Sequence, residues 1–395
     1  MRHKPITIHR HAWPMRSYGG LRFAGGRWRR DYLVVEGDRF AGWSSEPKED
    51  LVEGVILPPL IDAHVHTADT FLRDRLPPDI DLDGAVGPGG LKHRALADAD
   101  GGTVIDSIAS FLEEAASRGV AAAIDFREGG VRGLELLREA VRRHGSTIGS
   151  GDEGGGTADM GDIHGGSGPV GGSVSLAGGT MTTPLRTHVV PLGRPDGDDI
   201  RGVLAASAGL GLSALRDLRW EDAKRWAAAA HDAGKALALH ASEERREDID
   251  RVLSLRPDML VHCTACTEGD LRAIARRGVP VVVCPRSNDR FGIDLDVGRM
   301  LRAGVTVALG TDNGMVADPA PLREIAFLIG ELDMSLLTAL GLLANAKVFI
   351  PPFDIPLDPR TGDCVVVEGR RPEDVPDGRV VAAVVGGRLR TAGGT

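Results

Sequence analysis

The sequence predicts an α/β fold, a (β/α)8 TIM-like barrel, carrying a small discontinuous β-sandwich formed by both chain ends. Three observations point there. From residue 55 onward, short apolar runs alternate with helical stretches, the signature of βαβ units on a parallel sheet. Residues 1–54 and the stretch after Lys347 read instead as short strands broken by turns. Residues able to do chemistry recur at the predicted strand ends, on the rim where barrels of this kind carry their sites.

The division expected is therefore an accessory unit of residues 1–54 plus 350–395 and a barrel of residues 55–349. A chain of 395 residues exceeds the usual size of a single core, which fits a large barrel with an appendage. The candidate barrel strands are 55–63, 121–126, 184–192, 210–215, 235–239, 259–261, 279–284 and 305–309. The helices between them are punctuated. Residues 220–233 open on Glu221-Asp222 and end at Gly234, and Thr267-Glu268-Gly269-Asp270 is a capping box before a helix closed by Gly278.

The segment 145–179 departs from this order. It is dominated by Gly, Ser and Asp and is too poor in apolar residues to pack as an element, so it is expected to be a flexible insertion with His164 solvated. Its place between the second helix and the third strand puts it on the barrel face opposite the chemistry.

Composition excludes several function classes. At 42% hydrophobic and 26% charged the chain resembles ordinary soluble proteins, and no apolar run reaches the roughly 18 residues of a membrane span. Acidic residues outnumber basic ones 56 to 47 and aromatic residues are 4%, so neither a nucleic-acid nor a membrane surface is indicated. A small molecule is the expected partner. The start of the sequence lacks the apolar stretch of a signal peptide, so a cytoplasmic location is expected. Cys263, Cys266, Cys284 and Cys364 make no disulfide framework, and the Cys263-x-x-Cys266 pair has no second pair to complete a zinc ribbon.

The chemistry concentrates on one rim. His64-Val65-His66 ends the first barrel strand, and residues two apart on a strand point the same way. His240 ends the fifth strand, His262 the sixth, and Asp312 follows the eighth in Leu309-Gly310-Thr311-Asp312. Neutral imidazoles with a carboxylate suit Zn²⁺ or Fe²⁺ better than Mg²⁺ or Ca²⁺.

These residues carry a family resemblance. The string from Leu57 to His66, with His240-Ala241-Ser242-Glu243, Val261-His262-Cys263, Cys284-Pro285-Arg286-Ser287-Asn288 and Gly310-Thr311-Asp312-Asn313, resembles the amidohydrolase superfamily. Within it, the chain is similar to the branch of cytosine, guanine and S-adenosylhomocysteine deaminases and triazine hydrolases. The resemblance implies that His64, His66, His240 and Asp312 bind one divalent metal, Zn²⁺ or alternatively Fe²⁺, and that His262 contacts the hydrolytic water or the substrate. Two-metal members need a lysine or glutamate at the end of the third or fourth strand. Neither 184–195 nor 209–218 contains one. Glu243, Glu244 and Glu247 also suit the first turn of a helix, but deaminases of this superfamily use a glutamate where Glu243 stands.

Hydrolytic deamination of an aminated N-heterocycle is the activity implied, with Glu243, His262 and Asp312 catalytic. Hydrolysis of an amide, cyclic amide or carbon–halogen bond at the same site is the alternative, and a non-catalytic binding protein on the same fold a remoter one. Basic groups in the loops after the strands, Lys92, His93, Arg94, Arg127, Arg194 and Arg286, together with Asn288, are the candidate substrate contacts and suggest an anionic substrate. The other reading is that the arginines pair with Asp69, Asp125, Glu128 and Asp289. The runs 87–94 and 284–288 resemble a largely archaeal subgroup and depart from the loops of purine deaminases. Similar enzymes are commonly homo-oligomers.

Overall fold

A computed structural model describes residues 15–48, 50–149, 183–197, 199–358 and 362–391. The expected insertion at 145–179, with His164, lies outside the described residues from position 150 on. Eight parallel strands form the barrel: β1 (Leu60–His66), β2 (Val120–Arg127), β3 (His188–Gly193), β4 (Gly209–Leu212), β5 (Ala236–Ala241), β6 (Met259–His262), β7 (Val281–Val283) and β8 (Val307–Leu309). Each pairs with the next as far as β8. The two-residue segment Asp312–Asn313 then pairs with Val65 and His66 of β1, bringing the end of the sheet round to its beginning. Every residue of β1 and β2 is buried, as expected for parallel strands covered on both faces, which is why the sequence shows continuous apolar runs there.

Closure depends on a close approach. A Cβ at Gly310 would lie 2.8 Å from the carbonyl oxygen and 2.9 Å from the nitrogen of His64, so only glycine lets the chain pass beside β1.

The helices end where the sequence punctuates them. Trp220–Asp232 feeds β5 through Gly234, and Glu268–Arg277 begins at a capping box of Thr267 and Asp270 and ends at Gly278, whose φ is +67°. No helix of the described residues is long and apolar enough to cross a membrane.

Three expectations are corrected. The run 55–63 is not one strand. Pro58-Pro59 interrupts it, since proline has no N–H for the ladder, and Leu51–Leu57 pairs with Met15–Ala24 and Cys364–Val367 while β1 starts afresh at Leu60. The strands from the chain ends do come together, but not as a sandwich of two separate sheets. Val380–Val385, Cys364–Val367, Leu51–Leu57, Met15–Ala24, Tyr32–Glu36, Arg39–Ser44 and Arg388–Thr391 pair in that order, and the hairpin between the first and last of these closes the sheet on itself. Thr183–Pro184, placed by sequence at the start of the third barrel strand, pairs with Arg388–Thr391 of this sheet instead.

Candidate metal centre and active site

The ends of four barrel elements bring five candidate ligands together. His64 and His66 leave β1 with ring centroids 4.9 Å apart, and His64 lies 4.8 Å from the ring of His240 on β5. Nε2 of His64 is 3.2 Å from Nε2 of His240 and 3.2 Å from Oδ1 of Asp312, and Nε2 of His66 is 3.7 Å from the same carboxylate oxygen. Two sets share His64: His64, His66 and His240, and His64, His262 and Asp312. In each, the ligand atoms lie within 4.8 Å of one another.

The donor set fits a divalent metal. Four donors at zinc bond lengths in tetrahedral geometry stand about 3.3 Å apart, close to the three separations of 3.2, 3.2 and 3.7 Å. The tautomers agree. Nδ1 of His66 donates to the Phe126 carbonyl at 3.1 Å and Nδ1 of His240 to the Leu212 carbonyl at 2.9 Å, which leaves both Nε2 atoms as lone pairs facing the centre. Burial pushes the pKa of His66 down to about 3, with the Lys92 charge adding to it, and lowers those of His64 and His240 as well. Neutral imidazoles are the form a metal requires.

The backbone is strained around this centre. Asp312 (φ +66°), His262 (+70°), Cys263 (+56°) and Ser242 (+46°) all adopt the left-handed region without being glycine. Such conformations cost on the order of 1–3 kcal/mol each and gather where a site demands them.

A second ring of side chains holds the first. Ser287 Oγ donates to Asp312 Oδ2 at 2.6 Å, and Asn313 Nδ2 donates to Asp312 Oδ1 at 2.9 Å. Burial opposes ionisation of Asp312, yet the His64 contact and the neighbouring histidines hold its carboxyl well below the usual range. Glu128 Oε1 lies 2.8 Å from His66 Nδ1. Lys92 Nζ donates to Asn313 Oδ1 at 2.9 Å and lies 2.6 Å from Glu128 Oε1. Burial also raises the pKa of Glu128, but Lys92, His66 and Arg194 together bring it well below the ordinary value.

Glu243 stands at the mouth with Oε2 3.5 Å from His262 Nε2. Burial pushes its carboxyl up to about 7, against the pull of His262. A cavity of about 330 Å³ opens onto His66, His240, Glu243, His262 and Asp312 and is walled further out by Lys92, His93, Arg194, Arg216, Asp83 and Asp217.

The seven expected substrate contacts separate. Lys92, His93 and Arg194 line the cavity. Arg127 does not: it is 2% exposed, with its guanidinium on the backbone and carboxylate of Glu128. Arg286 is turned away onto Glu324 and Asp318, and Arg94 is exposed with its guanidinium on the Gly89 carbonyl. Asn288 is buried off the cavity. The alternative of acid-paired arginines thus describes Arg127 and Arg286, though with Asp318 and Glu324 as the partners of Arg286. Sequence reasoning missed Asn313 and Ser287 as supports of Asp312 and saw Glu128 only as a partner for arginine. For Asn313 and Glu128, position one residue beyond a strand-end functional group was the available signal.

No family model matches the chain. It is 27% identical over 347 residues to an uncharacterized protein of Methanocaldococcus jannaschii, covering 81% of this chain and 80% of that one. A protein of Archaeoglobus fulgidus, provisionally named an aminohydrolase, is 28% identical over 322 residues, or 80% of this chain and 81% of its own. Over 106 residues, 22% of this chain and 24% of the other, it is 35% identical to the 5-methylthioadenosine/S-adenosylhomocysteine deaminase of Desulforudis audaxviator. An adenosine deaminase structure from Xanthomonas campestris with bound zinc matches with a TM-score of 0.65 at 15% identity, covering 96% of this chain and 92% of that one. The chain is thus similar to proteins named aminohydrolases and deaminases, and it shares the barrel fold of the matched structures. N-isopropylammelide isopropylaminohydrolase from Burkholderia multivorans shares the same barrel, with a TM-score of 0.65 at 14% identity over 96% of this chain and 100% of that one. These structures establish the fold. The roles proposed for the residues rest on this chain's own geometry.

Proposed function

We propose that the chain is a mononuclear metal-dependent hydrolase of carbon–nitrogen bonds that deaminates an aminated N-heterocycle. His64, His66, His240 and Asp312 are the ligands in this reading, and Zn²⁺ is the favoured ion because three imidazoles and one carboxylate make a borderline-soft set. The observation that carries deamination is Glu243: a largely enclosed carboxyl held near neutrality, beside His262, on the cavity shared with the ligands. Relatives named aminohydrolases and deaminases support the same reaction class.

A divalent ion at this centre supplies an activated water, since coordination lowers the pKa of water from 15.7 towards about 7. The protein does the rest. Asp312, oriented by Ser287 and Asn313, accepts the proton that this water gives up. Glu243, protonated near neutral pH, donates to the ring nitrogen next to the carbon under attack, and His262 stabilises the charge that develops on oxygen. Oxygen bonds to the carbon, Asp312 passes the proton it took to the amino nitrogen, and the carbon–nitrogen bond breaks as ammonia leaves, the remaining hydroxyl proton returning to Glu243 as the carbonyl forms.

Arg194 is the group placed to receive an anionic part of the substrate. It lines the cavity, its Nε has no protein partner, and its nearest carboxylate, on Glu128, is 3.8 Å away. The deciding experiment measures metal per chain together with ammonia release across aminated heterocycles, in neutral and carboxylated pairs. One equivalent of zinc with ammonia release supports deamination. Hydrolysis of amides or carbon–halogen bonds without ammonia from amino-heterocycles overturns deamination, and a chain that stays metal-free and inactive overturns the enzyme. Equal rates for neutral and anionic partners remove the role of Arg194.

A further inference from the structure

We propose that Lys92 is a positioning residue of the metal centre, whose buried ammonium orients His66 through Glu128 and Asp312 through Asn313. The inference rests on His66 and Asp312 being ligands, and it assigns Lys92 a task different from substrate contact.

The helix carrying it is unusual. Leu91–Asp98 buries one residue fully, and that residue is Lys92, 3% exposed, while its apolar Ala95 and Leu96 are only partly buried. Burying an ammonium is costly unless its hydrogens meet acceptors. Nζ donates to Asn313 Oδ1 at 2.9 Å and sits between two carboxylates, with Glu128 Oε1 at 2.6 Å and Asp69 Oδ2 at 3.6 Å. The ammonium is thus held by protein groups on three sides, while the side chain also borders the cavity.

Two arms run from this one nitrogen to the centre. Along the first, Glu128 Oε1 lies 2.8 Å from His66 Nδ1 and shares that nitrogen's proton with the Phe126 carbonyl, adding to the pull that leaves Nε2 facing inward. Along the second, the amide of Asn313 has two ends that differ in kind. Lys92 can only donate, so it requires the oxygen on its side, and the Nδ2 hydrogens are thereby turned to Asp312 Oδ1 at 2.9 Å. Without the ammonium nothing fixes that choice. The amide is then free to turn its oxygen against the Asp312 carboxylate. The arms meet where the barrel closes, because Asn313 pairs with His66 across the Asp312–Asn313 and β1 contact. A lysine that only neutralised Glu128 and Asp69 would need no contact with Asn313.

The test uses the full chain, stripped of metal and reloaded with Co²⁺, whose visible absorption reports ligand number and geometry. The variants are Lys92→Met, Glu128→Gln and Asn313→Ala, with Zn²⁺ affinity read by chelator competition. Lys92→Met is expected to change the Co²⁺ band shape and weaken Zn²⁺ binding by about 10- to 100-fold, the range for residues that orient ligands, and each arm variant is expected to reproduce part of the change. Should Lys92→Met fail to fold, Lys92→Gln, neutral but with an amide that still donates to one arm, is read the same way. A folded Lys92 variant with the wild-type Co²⁺ spectrum and unchanged Zn²⁺ affinity overturns the proposal. A wild-type chain that binds neither ion removes the ligand assignment itself, a result distinct from an unchanged spectrum in the variant.

Discussion

Ser287 Oγ donates to Asp312 Oδ2 across 2.6 Å, joining the residue that follows Arg286 at the exit of β7 to the carboxylate that follows β8. Since Asn313 occupies the other oxygen, both Asp312 oxygens are fixed before any substrate arrives. Asp312→Asn is expected to abolish turnover, because the amide cannot take a proton from water. Ser287→Ala leaves the ligand but frees its oxygen, and is expected to cost about 10- to 100-fold in activity or metal affinity. Steady-state ammonia release and metal content per chain check both. Near-normal turnover in Asp312→Asn would refute its role.

The second expectation concerns pH. Glu243 has its carboxyl raised to about 7, chiefly by burial and against the pull of His262, and the proposed reaction uses its protonated form. Its protonated fraction falls as pH rises through that value. The rate should therefore decline on the alkaline side with a limb centred near 7. Glu243→Gln cannot donate in the same way and is expected to lose about 10²- to 10⁴-fold in kcat, with the alkaline limb gone. A pH–rate profile of wild type and variant shows whether the limb belongs to this residue.

How far the site was legible follows from where its parts sit in the chain. His64, His66, His240, His262 and Asp312 could be read because each ends a strand or lies just beyond one, and parallel strands of one barrel deliver their ends to one rim. Lys92, Glu128 and Asn313 come from three separate loops or helices, and nothing in linear spacing says that a helical lysine turns inward to meet them. Arg286 failed for a related reason: its partner Glu324 lies 38 positions away, beyond the loop in which the sequence offered acids. In the fold, Pro58-Pro59 was a visible breaker inside an apolar run. The register that gives one side of the break to the accessory sheet depends on Met15–Ala24 and Cys364–Val367, which no local pattern identifies.

Asp270 offers a stability test remote from the chemistry. It accepts from Thr267 at the start of its helix and takes a bidentate pair of bonds from Arg246 at 2.7 and 2.8 Å, and chiefly through Arg246 its pKa falls from 3.8 to about 2. A depressed acid stabilises the fold at pH values above its unfolded pKa, and the contribution is lost as pH falls through the folded value. Asp270→Asn is expected to lower stability by about 1 kcal/mol at pH 7. The gap between the urea midpoints of wild type and variant should narrow between pH 4 and pH 2. A gap that holds constant down to pH 2 would show that the carboxylate charge is not what Arg246 and the cap recognise.

Gly310 tests the closure of the barrel and the centre together. A Cβ there would come within 2.9 Å of His64 backbone and Cβ atoms, contacts that a flexible side-chain tip cannot relieve. Gly310→Ala must push the strand exit away from β1, and overpacking of this kind costs about 1–3 kcal/mol. The displaced segment carries Thr311, which donates to the buried Asp62 through both its backbone N–H at 2.9 Å and its hydroxyl at 2.6 Å, and then Asp312 itself. Two losses are therefore expected in the same variant: a lower melting temperature for the metal-free chain, and a further loss in the metal-bound chain because Asp312 no longer stands 3.2 Å from His64 Nε2. Thermal denaturation with and without added Zn²⁺ separates them. If the variant melts lower but keeps the full zinc-dependent stabilisation, the close approach at Gly310 serves the barrel alone and Asp312 is positioned by Ser287 and Asn313.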